Sequence, residues 1–143
     1  MMTTSQMLYS MGRRVLIDTS AIFAIISPLD RFHNRAAAVF QNLLDQGDSV
    51  WVTSYIMVET AALAHRRLGF EALKLFVQGI QGSIEIFWID RLIHEEAWRR
   101  MVERGGGRIS LVDWSTIVVA ERTRSTIFAF DQDFASQGLQ VLS

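Results

Sequence analysis

Four acidic residues each follow an apolar run in this chain, and carboxylates in that pattern can do metal chemistry. Asp18 closes Val15-Leu16-Ile17, and Glu59 stands six residues beyond Val50-Trp51-Val52-Thr53. Asp113 opens an apolar helical pattern after Ile109-Ser110-Leu111-Val112, and Asp131 closes the run from Thr126 to Phe130. If the runs are parallel strands with helices beside them, the acids gather at one edge of one sheet, where open α/β sheets bind ligands. Such convergence is costly. Two unit charges ~4 Å apart repel by about 4 kcal/mol at an effective dielectric of 20. Several such pairs would consume a large part of the roughly 5–15 kcal/mol that holds a domain folded. Either some acids protonate or a cation sits among them. The chain has no cysteine, and hard oxygen donors favour Mg²⁺ or Mn²⁺ over zinc. A divalent metal on a small domain points to phosphodiester chemistry.

Each acid also has a purely structural role open to it. Asp18 can cap the helix that follows, and Glu59 can face solvent. Ser110-Leu111-Val112-Asp113 fits a relaxed capping box, and Asp131-Gln132-Asp133 can form a turn. Their joint placement favours a shared site. It leaves open whether Asp131 or Asp133 is the fourth acid.

The elements that would position them alternate. Strands are expected at Val15–Asp18, Val50–Thr53, Ile84–Ile89 and Thr126–Phe130, with a fifth possible at Gln140–Leu142. Helices are expected from Thr19 or Ser20 to Ile26, then at Asp30–Asp45, Ser54–Leu68, Phe70–Ile80, Asp90–Arg104 and Leu111–Arg122. The runs read as continuously apolar, as strands buried on both faces do. Alternating strands and helices indicate an α/β fold. The expectation is a three-layer α/β/α sandwich around a mostly parallel sheet of four or five strands. Residues 13–143 would form one domain behind a Met-rich, flexible extension at 1–12. A chain of 143 residues suits one domain, burying roughly 68–70% of its unfolded surface. Gly105-Gly106-Gly107 reads as a flexible loop.

The net charge of −1 excludes a global basic field, but thirteen of the fourteen basic residues are arginine, with Lys74 the exception. Arginine forks pair with phosphate. Arg13, Arg14, Arg104 and Arg108 lie near the acidic segments in sequence and are the candidates to position phosphates. The other clusters read as solvated helix faces. Single histidines at His33, His65 and His94 read as surface or packing residues. The apolar run at Ala21–Ile26 is far short of the roughly 18 residues a membrane span needs. Arg13-Arg14 before it lacks a cleavage pattern. With no disulfide possible, a cytoplasmic protein is expected.

At this point the residues resemble a family. Val-Leu-Ile-Asp-Thr-Ser at 15–20, Thr-Ser-Tyr-Ile-Met-Val-Glu-Thr at 53–60, Ser-Leu-Val-Asp-Trp-Ser at 110–115 and Phe-Asp-Gln-Asp-Phe at 130–134 look like the PIN-domain ribonucleases. The nearest likeness is to VapC-like toxins of type II toxin–antitoxin pairs. The resemblance runs from Val15 to the C-terminus and includes the closing Gly138-Leu139-Gln140-Val141-Leu142. It implies a Mg²⁺- or Mn²⁺-dependent endoribonuclease whose Asp18, Glu59, Asp113 and Asp131 hold one or two ions, with Asp133 close by. Ser20, and in part Thr19, would orient an acid or a water in a second layer around the metal. An RNA substrate, a cognate antitoxin and a homodimer are implied as partners. Trp114-Ser115 departs from the family's small residues after the third acid, and Trp114 is expected to face the core or a helix.

Two rival chemistries fit less well. The Asp-x-Asp of a haloacid-dehalogenase-type phosphatase belongs at a domain's start, and Asp131-Gln132-Asp133 comes late. A dinucleotide site needs Gly-x-Gly-x-x-Gly after the first strand, and none is present. A non-catalytic PIN-like module that binds RNA or a protein remains the alternative.

Overall fold

A computed structural model describes residues 12–104 and 106–143, apart from the side chains of residues 80 and 81. Except for Gly12, the expected extension lies outside the described residues, as do Gly105 and the Ile80 side chain.

The sheet is built on the most apolar run. β1 (Arg14–Ile17) lies at its centre, with Val15, Leu16 and Ile17 at most 1% exposed. β2 (Ser49–Thr53), β3 (Glu85–Phe87), β4 (Thr126–Phe128) and β5 (Val141–Leu142) complete the order β3-β2-β1-β4-β5. Every pairing is parallel; Val15 stands opposite Val50 on one side and Thr126 on the other. Side chains alternate across a strand, and the sheet divides two cores accordingly. Val15, Ile17, Val50, Val52 and Phe128 enter one, and Leu16, Ile127 and Ala129 enter the other.

Helices cover both faces. α1 (Thr19–Ile26), α2 (His33–Asp45), α3 (Ser54–Leu68) and α4 (Phe70–Ser83) supply the first core through Ala21, Ala36, Ile56 and Phe76. α5 (Arg91–Glu103) and α6 (Leu111–Thr123) supply the second through Ile93, Ala97, Trp114 and Ile117. A short α7 (Asp133–Ser136) follows β4. This is the expected three-layer α/β fold, with five strands, all parallel. Trp114 faces the core, at 3% exposed. Seven consecutive α6 residues, Trp114 to Ala120, are buried, the mark of a helix enclosed on all sides.

The strand order places the site. The chain moves outward from β1 to β2 and β3, then crosses through α5 and α6 to β4 on β1's other side. β1 is therefore the switch point of the topology, and ligand crevices open at the carboxyl ends of the strands beside it. Among the described residues, no helix is long and apolar enough to cross a membrane.

Candidate functional site

Asp18 leaves the carboxyl end of β1 and caps α1. Its Oδ2 accepts from the Ser20 backbone N–H (3.1 Å) and from the Ser20 hydroxyl (2.8 Å). The Ser20 oxygen in turn accepts from the Phe130 N–H at 3.0 Å. One hydroxyl thus ties the start of α1 to the chain leaving β4. Asp18 is 4% exposed, and its Oδ1 is buried without a hydrogen-bond partner among the described residues. Burial is the largest force on this carboxyl and raises its pKa from 3.8 to about 6, against the Ser20 hydrogen bonds that lower it. The negative charge of Glu59 adds a smaller upward push.

Glu59 comes from the middle of α3, whose N-terminus is capped by Thr53 accepting from the Ile56 N–H (3.0 Å). The neighbouring Thr60 hydroxyl donates to Thr19 at 3.3 Å, pinning α3 against α1. Asp113 is the third residue of α6. Ser110, not Asp113, is the cap, accepting from the Asp113 N–H at 3.1 Å. That contact fixes the turn from which the Asp113 carboxyl projects. Its pKa is raised from 3.8 to about 7, first by burial and then by Asp18, Glu59 and Asp131 in turn. Three other acids therefore act on Asp113 through space. Asp131 follows β4, and its Oδ1 accepts from the Asp133 N–H (2.9 Å), so the expected turn forms as well.

All four acids line one cavity of about 650 Å³ at the carboxyl edge of the sheet, with Thr19 and Ser20 beside them. Asp133 is not among its lining residues; it sits in the first turn of α7. Among the described residues, no three Asp, Glu or His side chains stand close enough to hold a metal ion as they are placed. The donor set still fits a hard divalent cation. It offers only carboxylate and hydroxyl oxygens, one carboxylate oxygen is buried and unpaired, and the charges of the other three acids push the pKa of Asp113 up.

Of the four arginines singled out in the sequence, only Arg108 lines the cavity. Arg13 and Arg14 lie at the amino end of β1, at the opposite edge of the sheet. Arg13 donates from its backbone N–H to Asp48 at 2.8 Å and its guanidinium lies 3.5 Å from the same carboxylate. Arg14 lines a smaller cavity with Trp51 and Phe87. Arg104 caps the end of α5 and lies over the Trp114 ring, 5.8 Å from its centroid. Two arginines not singled out, Arg31 and Arg67, do line the cavity. Glu59, Leu63 and Arg67 lie on one face of α3 at four-residue spacing, a signal present in the sequence. Arg31 precedes α2 in a loop and carries no such signal.

The histidines lie outside the cavity lining. His33 Nδ1 meets the Ala24 carbonyl at 2.8 Å, His94 contacts the Tyr55 hydroxyl, and His65 packs edge-on against Phe70.

A family model described as the PIN domain matches residues 15–138. No curated protein matches the chain. Among solved structures, the chain is similar to VapC20 of Mycobacterium tuberculosis, a sarcin-ricin-loop-cleaving toxin. The TM-score is 0.77 at 23% identity, over 87% of this chain and 95% of that one. It is similar to VapBC2 of Rickettsia felis bound to a promoter DNA fragment (TM-score 0.70, 13% identity, 90% and 97% covered). It is also similar to FitAcB of Neisseria gonorrhoeae (TM-score 0.65, 18% identity, 90% and 96% covered). At these identities the likeness is one of fold.

Proposed function

The chain belongs to the PIN domain family, and from that premise we propose that it is a divalent-metal-dependent endoribonuclease, the toxin of a toxin–antitoxin pair acting in the cytoplasm. One observation carries the reading: four carboxylates from four separate segments line one cavity, and a buried Asp18 oxygen there lacks a partner. The solved structures of a VapC toxin and of VapBC2, similar in fold, support it.

In this reading Asp18, Glu59, Asp113 and Asp131 hold one or two Mg²⁺ or Mn²⁺ ions, and Asp133 serves only to shape the turn that carries Asp131. The metal, when bound, supplies Lewis acidity at the phosphoryl oxygen and lowers the pKa of attacking water. The rest falls to the chain. Ser20 keeps the Asp18 carboxylate in one orientation. Asp113, whose carboxyl is raised to about 7 in the metal-free protein, would give up its proton as the ion binds. Arg31, Arg67 and Arg108 offset the repulsion between four acids and a polyanionic substrate. Water adds to phosphorus as the bond to the 3′ oxygen breaks, giving 5′-phosphate and 3′-hydroxyl ends.

Exposed Phe70, Leu75 and Val77 on α4 leave apolar surface. Of these, Leu75 lines a groove with Ile22, Ile25 and Phe40. We assign it to the antitoxin, as a helix laid in a groove, with exposed apolar surface elsewhere serving a homodimer.

Purified protein incubated with Mn²⁺ and total RNA should produce discrete cuts with those ends. Asp113→Asn should stop cleavage while leaving the circular dichroism spectrum unchanged; wild-type cleavage by that variant would refute the assignment. The open spacing of the acids is the one observation that favours a binding-only module. Mn²⁺ titration separates the two readings, because a binding-only module need not take up the ion at Asp18 and Asp113.

A further inference from the structure

The wall of the acidic cavity carries an aromatic stack that metal binding alone does not require. Phe32 and Phe130 lie face to face, with ring centroids 4.5 Å apart and planes within 5°. The Arg31 guanidinium carbon lies over the Phe32 ring at 4.5 Å. All three residues line the cavity with the four acids. Arg31 is exposed, and among the described residues its guanidinium makes no hydrogen bond or ion pair, which leaves it open to a ligand.

The stack is also fixed relative to the acids. The hydroxyl of Ser20 that holds Asp18 Oδ2 accepts the backbone N–H of Phe130. On the other side, Asp30 accepts the Phe32 N–H at 2.8 Å. The Ser20 contact therefore ties the stack to Asp18, while the Asp30 turn holds Phe32 in place.

From this geometry we infer that the Arg31–Phe32–Phe130 stack is a nucleobase platform, against which the base of an unpaired nucleotide beside the scissile phosphate lies flat. The inference rests on the nuclease reading and adds to it the residues that position the substrate base. Bases stack on guanidinium planes as well as on aromatic rings. Such stacking tolerates any base, and losing it weakens binding by roughly tenfold or more. Arg67, over the Phe23 ring at 5.9 Å, and Arg108 are left for the flanking phosphates. Base-paired RNA cannot present a base to this wall without unpairing it.

The test uses a single-stranded RNA with a mapped cut site and 2-aminopurine placed in turn at each position around the cut. Asp113→Asn protein with Mn²⁺ keeps the strand intact during measurement. The platform predicts quenching at one position next to the cut. Adding Arg31→Ala or Arg31→Lys should abolish most of that quenching, and Lys should retain salt-dependent binding because it keeps the charge but not the plane. In the cleaving protein, removing the base at that position should raise KM about tenfold, and Arg31→Ala should erase the difference. Quenching at no position, or full quenching with Arg31→Lys, overturns the platform. Failure to cut any RNA would instead overturn the nuclease reading, and the platform with it.

Discussion

Asp18 has one oxygen held twice by Ser20 and the other held by nothing among the described residues. The single hydroxyl at Ser20 therefore has two dependents, a carboxylate and the backbone of Phe130. Ser20→Ala should cost about 1–3 kcal/mol in urea unfolding, because it leaves a buried N–H and a carboxylate oxygen short of a partner. It should also lower Mn²⁺ affinity by roughly 10–100-fold, as loss of a group that orients a metal ligand does; an unchanged Mn²⁺ titration would separate Ser20 from the metal. Asp113→Asn should do the opposite to stability. It removes a charge that Asp18, Glu59 and Asp131 all oppose, so the metal-free variant should melt higher than wild type at pH 8. The acids were legible in the sequence because each stands at the end of an apolar run or in the turn of a helix. Arg31 was not, because its place depends on a stack between Phe32 and Phe130, ninety-eight positions apart in the chain.

Caps govern the elements that carry these residues. Asp18, Thr53, Asp90 and Ser110 begin α1, α3, α5 and α6, each accepting from a backbone N–H two or three residues on. Ser110→Ala should cost about 1 kcal/mol and should weaken cleavage as well, since the same contact sets the turn bearing Asp113; a stability loss without an activity loss would place Asp113's orientation elsewhere. Strong caps explain why the start of α3 at Ser54 and of α6 at Leu111 could be read from the sequence to the residue. The expected start of α2 at Asp30 was three residues early, because Asp30 spends its side chain on the Phe32 N–H and makes a turn. β4 stops at Phe128, not Phe130: Phe130 is drawn off by Ser20 to form the cavity wall. α7, four residues long, is too short to leave a helical period in the sequence.

At the scale of the whole molecule, two of the acids, Asp18 and Asp113, make folding depend on pH. Asp18 and Asp113 are both raised in the folded state, from 3.8 to about 6 and about 7. The folded protein therefore binds more protons than the unfolded chain across that window. Their contribution to stability is full below pH 3.8 and is lost as pH rises through 6 and then 7. For the buried Asp18 the loss amounts to about 3 kcal/mol. Metal-free protein should have a higher Tm at pH 5 than at pH 8, and Mn²⁺ should raise the Tm more at pH 8 than at pH 5. A Tm that climbs from pH 5 to pH 8 without metal would contradict the charge cluster. The sheet order adds a consequence in time. β1, at residues 14–17, has β4, at residues 126–128, as one of its two neighbours. Asp131 and the Phe130 wall arrive only with that late strand. During synthesis at roughly 5–20 residues per second, a nascent chain spends many seconds with Asp18 and Glu59 already made and no closed cavity. The proposed nuclease would thus stay inert on the ribosome that makes it, and become active only once its last central strand has emerged and docked.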